Sequence, residues 1–243
     1  MSLIKKIFHL LQVKYIKKFF LKKKISNKEK FSLIYKSNYW SDTESVSGSG
    51  SNKKQTLNTI INIKKIIEML NIRKIFDVPC GDFVWMNNLL QQIEKSKDKE
   101  INYIGGDIVE DLIYKLKQKH LGKNYEFRVF DITTDKIENS DLVICRDCFI
   151  HFSNDDIIKS INNFLNSNSK YFLISDSVVP KKFENEDIVT GEYRKIDLTK
   201  KPFNLPIENL FQFNDVYNKK LDFYETKMTL WSKEQLKSNN EFK

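Results

Sequence analysis

A chain of 243 residues with 40% hydrophobic and 30% charged side chains fits one α/β domain plus an appendage, and excludes a disordered or fibrous polymer. The net charge of +9 is concentrated: residues 1–30 carry ten Lys against one Glu, while the other 213 residues hold 31 basic and 31 acidic side chains. A neutral domain lacks the basic field of a nucleic-acid-binding face. No apolar run is long enough to span a bilayer, and three Cys (Cys80, Cys145, Cys148) in no disulfide pattern point to a reducing, cytoplasmic compartment.

Leu3, Ile4, Ile7, Phe8, Leu11, Ile16, Phe19 and Phe20 recur near helical spacing with Lys between them. The pattern predicts a basic amphipathic N-terminal helical segment over residues 1–44. Residues 3–24 are suited to peripheral contact with an anionic membrane surface. The alternative is a helix packed on the domain with its Lys in solvent. Lys interrupts each apolar run, so the segment does not read as a secretory signal. Ser26 to Lys30 reads as a break, after which Phe31 to Tyr35 and Tyr39-Trp40 resume apolar character. Ser45 to Asn52 (SVSGSGSN) is either a linker or a Gly-rich loop that closes over a ligand, and the motifs downstream favour the loop.

Thr56 to Leu70 has helical periodicity. Lys74 to Asp77 then reads as a short buried strand, followed by the turn Val78-Pro-Cys-Gly-Asp-Phe83 and a helix from Val84. Strand, tight Gly-containing turn and helix make up the first unit of a nucleotide-binding α/β fold. The G-x-G-x-x-G spacing of dinucleotide enzymes is absent. Asp77 at the strand end can accept from an ammonium group. Ile101 to Ile108 repeats the pattern and ends in Gly105-Gly106-Asp107, where the acid is placed for two ribose hydroxyls. Its other reading is a cap on the helix that follows. Glu126 to Ile132 is a third strand, with Asp131 suited to an adenine amino group.

The ordered motifs DVPCGDF, GGDI, FDI and DLVICRDC, over about residues 45–180, resemble class I S-adenosylmethionine-dependent methyltransferases. SGSGS with PCGDFxWM is similar to a bacterial and viral branch of that family. The first turn departs from the family by holding Pro79 and Cys80 where more Gly is usual. The resemblance implies a Rossmann-like, doubly wound α/β fold with a mostly parallel seven-stranded sheet over residues 45–243. It implies S-adenosylmethionine as cofactor, held by Asp77, Pro79, Cys80, Gly81, Asp82, Phe83, Asp107, Ile108, Asp131, Ile132 and Arg146. In it, Asp77 and Gly81 would serve the methionine part, Asp107 the ribose and Asp131 the adenine.

Ser140 to Cys145 is the fourth strand. In a doubly wound sheet it neighbours the first, with ligands beyond both carboxyl ends. Arg146, Asp147, Cys148 and His151 would therefore face the transferable methyl. His151 is the first candidate for a base, Asp147 the second, with Arg146 beside them. The bland reading of His151 is a polar residue before the helix that Ser153 caps at Asn154. Cys145, Cys148, His151 and Cys80 offer zinc-type ligands, but Cys145 is expected to point into the sheet layer. Asp147 with Asp176 could hold Mg²⁺ but lacks a clear third ligand. No metal is therefore expected.

Lys170 to Asp176 is the fifth strand. Residues 176–215 lose periodicity and read as a substrate-covering insertion, with Asp176, Tyr193, Arg194 and Asn204 as substrate-binding candidates. Lys227 to Trp231 closes the sheet antiparallel. The expected activity is O-methylation of a small-molecule or glycan acceptor. The alternatives are a catalytically silent cofactor-binding or membrane-recruited protein, and a nucleic-acid methyltransferase that binds through the basic tail.

Overall fold

The computed structural model describes residues 25–40, 44–96, 100–218 and 223–238. The stretch 3–24 read as a membrane contact lies outside the described residues. Among them, no helix is long and apolar enough to cross a membrane.

After helix α1 (Asn27–Lys36) and helix α2 (Leu57–Met69), strands and helices alternate: β1 (Lys74–Asp77), α3 (Val84–Ser96), β2 (Asn102–Asp107), α4 (Glu110–Lys119), β3 (Tyr125–Val129), β4 (Leu142–Cys145), α5 (Asn154–Asn166) and β5 (Tyr171–Ser177). The chain ends with β6 (Phe211–Asn214), the short pair β7 (Tyr217–Asn218) and β8 (Phe223–Tyr224), then β9 (Thr226–Ser232) and α6 (Lys233–Ser238). The seven-stranded sheet has the order β3-β2-β1-β4-β5-β9-β6. β1 to β5 pair in parallel, and β9 runs antiparallel between β5 and β6.

The apolar strand runs dictate this architecture. All four residues of β4 are buried, as expected of a strand covered on both faces. Side chains alternate across a strand, and two cores result. Ile75, Ile144 and Leu173 join the apolar faces of α2, α3 and α4. Phe76, Val143, Cys145 and Phe172 join α5 and α6 on the other side. Each fully buried Ile or Leu of these cores contributes ~1.5–3 kcal/mol relative to exposure. Cys145 takes the inward position expected of it.

Two elements differ from the sequence expectation. The stretch from Ser26 is a helix start rather than a break. The Ser26 hydroxyl accepts from the Glu29 amide, and the Glu29 carboxylate accepts from the Ser26 amide. This reciprocal cap satisfies two orphan donors. It lets α1 pack on the domain through buried Ile34 and through Phe31, whose ring lies 5.9 Å from Phe152. In the segment between β5 and β6, Ile196, Leu198, Phe203 and Leu205 are buried in the second core. Much of that insertion therefore fills the sheet face rather than covering a site. Ser153 caps α5 as its sequence suggests, accepting from the Asp156 amide.

Candidate active site

The carboxyl ends of β1, β2 and β4 open into one cavity of about 330 Å³, roofed by residues 46–51 and by Phe31, Tyr35 and Trp40. A volume of this size lies at the lower end of small-molecule sites.

The turn after β1 forms the floor. Gly81 has φ +53°, and a Cβ there would collide with the Ser47 hydroxyl. Only Gly allows the roof loop to sit this close. Asp82 fastens the loop twice: its amide donates to Ser47 Oγ (3.0 Å) and its carboxylate accepts from the Val46 amide (3.0 Å). The Gly/Ser tract is thus a loop packed on the turn.

Asp107 ends β2 at the cavity wall. Its oxygens accept from the Gly81 amide (3.2 Å) and the Val109 amide (2.9 Å). Burial pushes its carboxyl up to about 6, against the pull of those two amides. Each oxygen keeps a further lone pair for a ligand. Asp131 also lines the wall, its carboxylate accepting from the Thr133 amide (2.9 Å) and hydroxyl (2.6 Å). Pro79, Cys80, Ile108 and Ile132 complete this half.

Two expected cofactor contacts lie away from the wall. Asp77 is buried behind the turn, where it accepts from the Tyr103 hydroxyl at 2.9 Å. Its second oxygen has no hydrogen-bond partner. Burial raises its pKa to about 7, with Tyr103 and Arg146 pulling the other way. Phe83, at φ +62°, turns its ring into a cluster with Tyr103, His120, Tyr125 and Phe127 at 4.9–5.2 Å between centroids.

After β4, the Arg146 guanidinium is committed on three sides. It donates to Asp215 (2.8 Å) and to the Gly50 carbonyl (2.8 Å), pairs with Asp147 (3.1 Å), and lies 5.6 Å from the Trp85 ring centre. Asp215 also accepts from the Thr59 hydroxyl. Arg146 therefore ties the end of β4 to the roof loop and to the residue after β6. Asp147 follows in left-handed backbone (φ +53°), which Asp tolerates better than most residues. Its amide donates to Ser175 (2.7 Å), and its Oδ1 is buried without a hydrogen-bond partner.

His151 sits between Trp40 (5.2 Å) and Tyr193 (5.9 Å) at the mouth of this half. Its Nδ1 lies 2.8 Å from the Glu192 carbonyl. A carbonyl can only accept, so Nδ1 carries the proton and Nε2 keeps its lone pair. Burial lowers the imidazole pKa to about 4, partly offset by that hydrogen bond, so the ring is neutral near pH 7.

Of the substrate candidates, Tyr193 lines the cavity, whereas Asp176, Arg194 and Asn204 do not. Asp176 is buried under the insertion, accepting from the Leu198 amide (3.3 Å) and facing Lys227 (3.7 Å). Arg194 donates to the Glu186 carbonyl (2.5 Å), and Asn204 sits in a left-handed turn after Lys200. Sequence reasoning missed Trp40, Trp85 and Asp215. Trp85 stood in the PCGDFxWM motif and could have been found there. Asp215 lies 69 residues from Arg146 with no local signal. Among the described residues, no group of three or more His, Cys, Asp or Glu is arranged to hold a metal ion.

No family model and no curated protein matches the sequence. Solved structures do. The methyltransferase domain of bacterial CtHen1 is 13% identical, over 74% of this chain and 100% of that one, with a TM-score of 0.52. The magnesium protoporphyrin IX methyltransferase of Synechocystis PCC 6803, determined with bound SAM, is 14% identical over 86% and 97% (TM-score 0.51). A protein of Pyrococcus horikoshii OT3 is 17% identical over 76% and 93% (TM-score 0.50). At such identities the likeness is one of fold, and the chain has the class I methyltransferase fold.

Proposed function

We propose that the chain is an S-adenosylmethionine-dependent methyltransferase acting on a hydroxyl of a small-molecule or glycan acceptor. The observation that carries this is the single cavity. It joins the strand-end acids and the Gly81 turn to the segment Arg146–His151. The lining fits the cofactor: Asp107 and Asp131 have lone pairs for ribose and adenine donors, and carboxylates suit a sulfonium cation.

Bound there, S-adenosylmethionine supplies a methyl on a positively charged sulfur, both electrons of the broken S–C bond remain on sulfur, and an acceptor hydroxyl that gains the methyl must lose its proton. Nε2 of His151 is the group that can take it. A pKa near 4 makes His151 a weak base in the free protein. Its aromatic neighbours Trp40 and Tyr193 and the Nδ1–H bond to the Glu192 carbonyl favour the imidazolium that would form. The roof loop overlies the reacting groups, and alignment of acceptor and methyl in such a site lowers the barrier.

We read the compartment as cytoplasmic, with residues 3–24 as a peripheral membrane contact, on the basis of the sequence pattern. The fold and the cavity carry the cofactor reading. Calorimetric titration with S-adenosylmethionine and its demethylated product tests it. Micromolar binding is expected, weakened about tenfold or more in Asp107→Ala by loss of charge-assisted hydrogen bonds. Absence of binding by the folded wild-type chain would sink the reading.

A further inference from the structure

We infer that the acceptor half of the cavity selects a neutral, hydroxyl-rich ring, of which a sugar is the type, and rejects phosphorylated or carboxylated acceptors. The inference rests on the methyltransferase reading above. It starts from charge. Besides the acids of the cofactor half, Asp147 and Glu225 line the cavity and both act electrostatically on Tyr193, and Arg146 is the one Lys or Arg among its described lining residues. That guanidinium is already spent on Asp215, Asp147 and the Gly50 carbonyl. Among the described lining residues, a phosphate or carboxylate would meet carboxylates and no uncommitted cation, which is discrimination by repulsion.

Hydrogen bonding narrows the class. Oδ1 of Asp147 is buried without a donor. Nε2 of His151 is left with a lone pair because Nδ1–H is given to the Glu192 carbonyl. Both atoms can accept a donor from the ligand. An ether or ketone offers none, whereas a polyol offers several. An ammonium donor would stand beside the sulfonium, one cation against another. Shape agrees: Trp40 and Tyr193 flank His151 at 5.2 and 5.9 Å, an aromatic wall against which the apolar face of a sugar ring can lie.

The test uses the full chain saturated with cofactor. Methyl glycosides of common hexoses, the matched hexose phosphates and uronates, and an amino sugar are titrated by calorimetry and by tryptophan fluorescence. At least one neutral glycoside is expected to bind about tenfold or more tightly than its anionic counterparts, since an unpaired buried charge is costly. Asp147→Asn keeps a side chain that accepts left-handed backbone, and its melting temperature reports whether it folds. In that variant the neutral-to-anionic ratio should shrink about tenfold as the repelling charge is removed. Equal or tighter binding of the phosphates, preference for the amino sugar, an unchanged ratio in folded Asp147→Asn, or no glycoside binding by a cofactor-loaded chain would each overturn the inference. Failure of the cofactor itself to bind is a separate result, and it removes the methyltransferase reading first.

Discussion

Buried titratable side chains give this protein opposing pH responses. Asp176 has its carboxyl raised to about 7, by burial first and by Asp197, against Lys227 and the Leu198 amide. The folded state thus holds a proton that the unfolded chain releases near 3.9. The stability this proton lends is full below that value and is lost as pH rises through 7. Asp77 and Asp107 act in the same direction. His151 opposes them: its folded pKa of about 4 lies below the unfolded 6.5, so its contribution is present above 6.5 and fades as pH falls towards 4. Replacing Asp176 with Asn removes one slope and leaves the others. Relative to wild type, the variant should gain roughly 2–3 kcal/mol between pH 5 and pH 8, at 1.36 kcal/mol per unit. Melting curves at the two pH values check this, and a constant difference would contradict it. Asp107 and Asp131 were legible in the sequence because each follows an apolar strand run. The orientation of Asp77 was not, since its partner Tyr103 lies 26 residues away. Nor was the inward turn of Phe83, which depends on four rings from elsewhere in the chain.

At the level of elements, α1 shows how a polar start can hide a helix. Ser26-Asn-Lys-Glu29 reads as a break by composition, yet it is a reciprocal cap. Ser26→Ala should cost about 1 kcal/mol, measurable by urea denaturation. Phe31 and Tyr35 of α1 line the cavity, so the same variant should also weaken cofactor binding modestly. If cofactor affinity rose instead, α1 would not support the roof. The five parallel strands and their helices were legible because apolar periodicity and strand-end acids recur together. The stretch 178–210 was not. Its buried Ile196, Leu198, Phe203 and Leu205 follow no period, and their burial is set by the sheet face they meet.

For the molecule as a whole, the ionic cluster around Arg146 is costly to disturb. The Arg146 side chain is 3% exposed and that of Asp215 0%. Removing one partner of a buried pair leaves a charge uncompensated, so Asp215→Ala should destabilise by roughly 3–5 kcal/mol. Asp215→Ala combined with Arg146→Met should recover part of that loss. Denaturant unfolding of the three proteins decides the matter: a double variant no more stable than the single would show that Asp147 and the Gly50 carbonyl still compensate Arg146 once Asp215 is gone.

The same cluster bears on how the cavity is closed. Asp215 stands just after β6, and β6 meets the sheet through β9. The chain up to β5 supplies the acids, the Gly81 turn and the roof loop, whereas the buried carboxylate of Asp215 reaches Arg146 from 69 residues further along. The chamber is therefore locked from outside the parallel half of the sheet, and a variant that loosens β6 from β9 should loosen the roof loop as well.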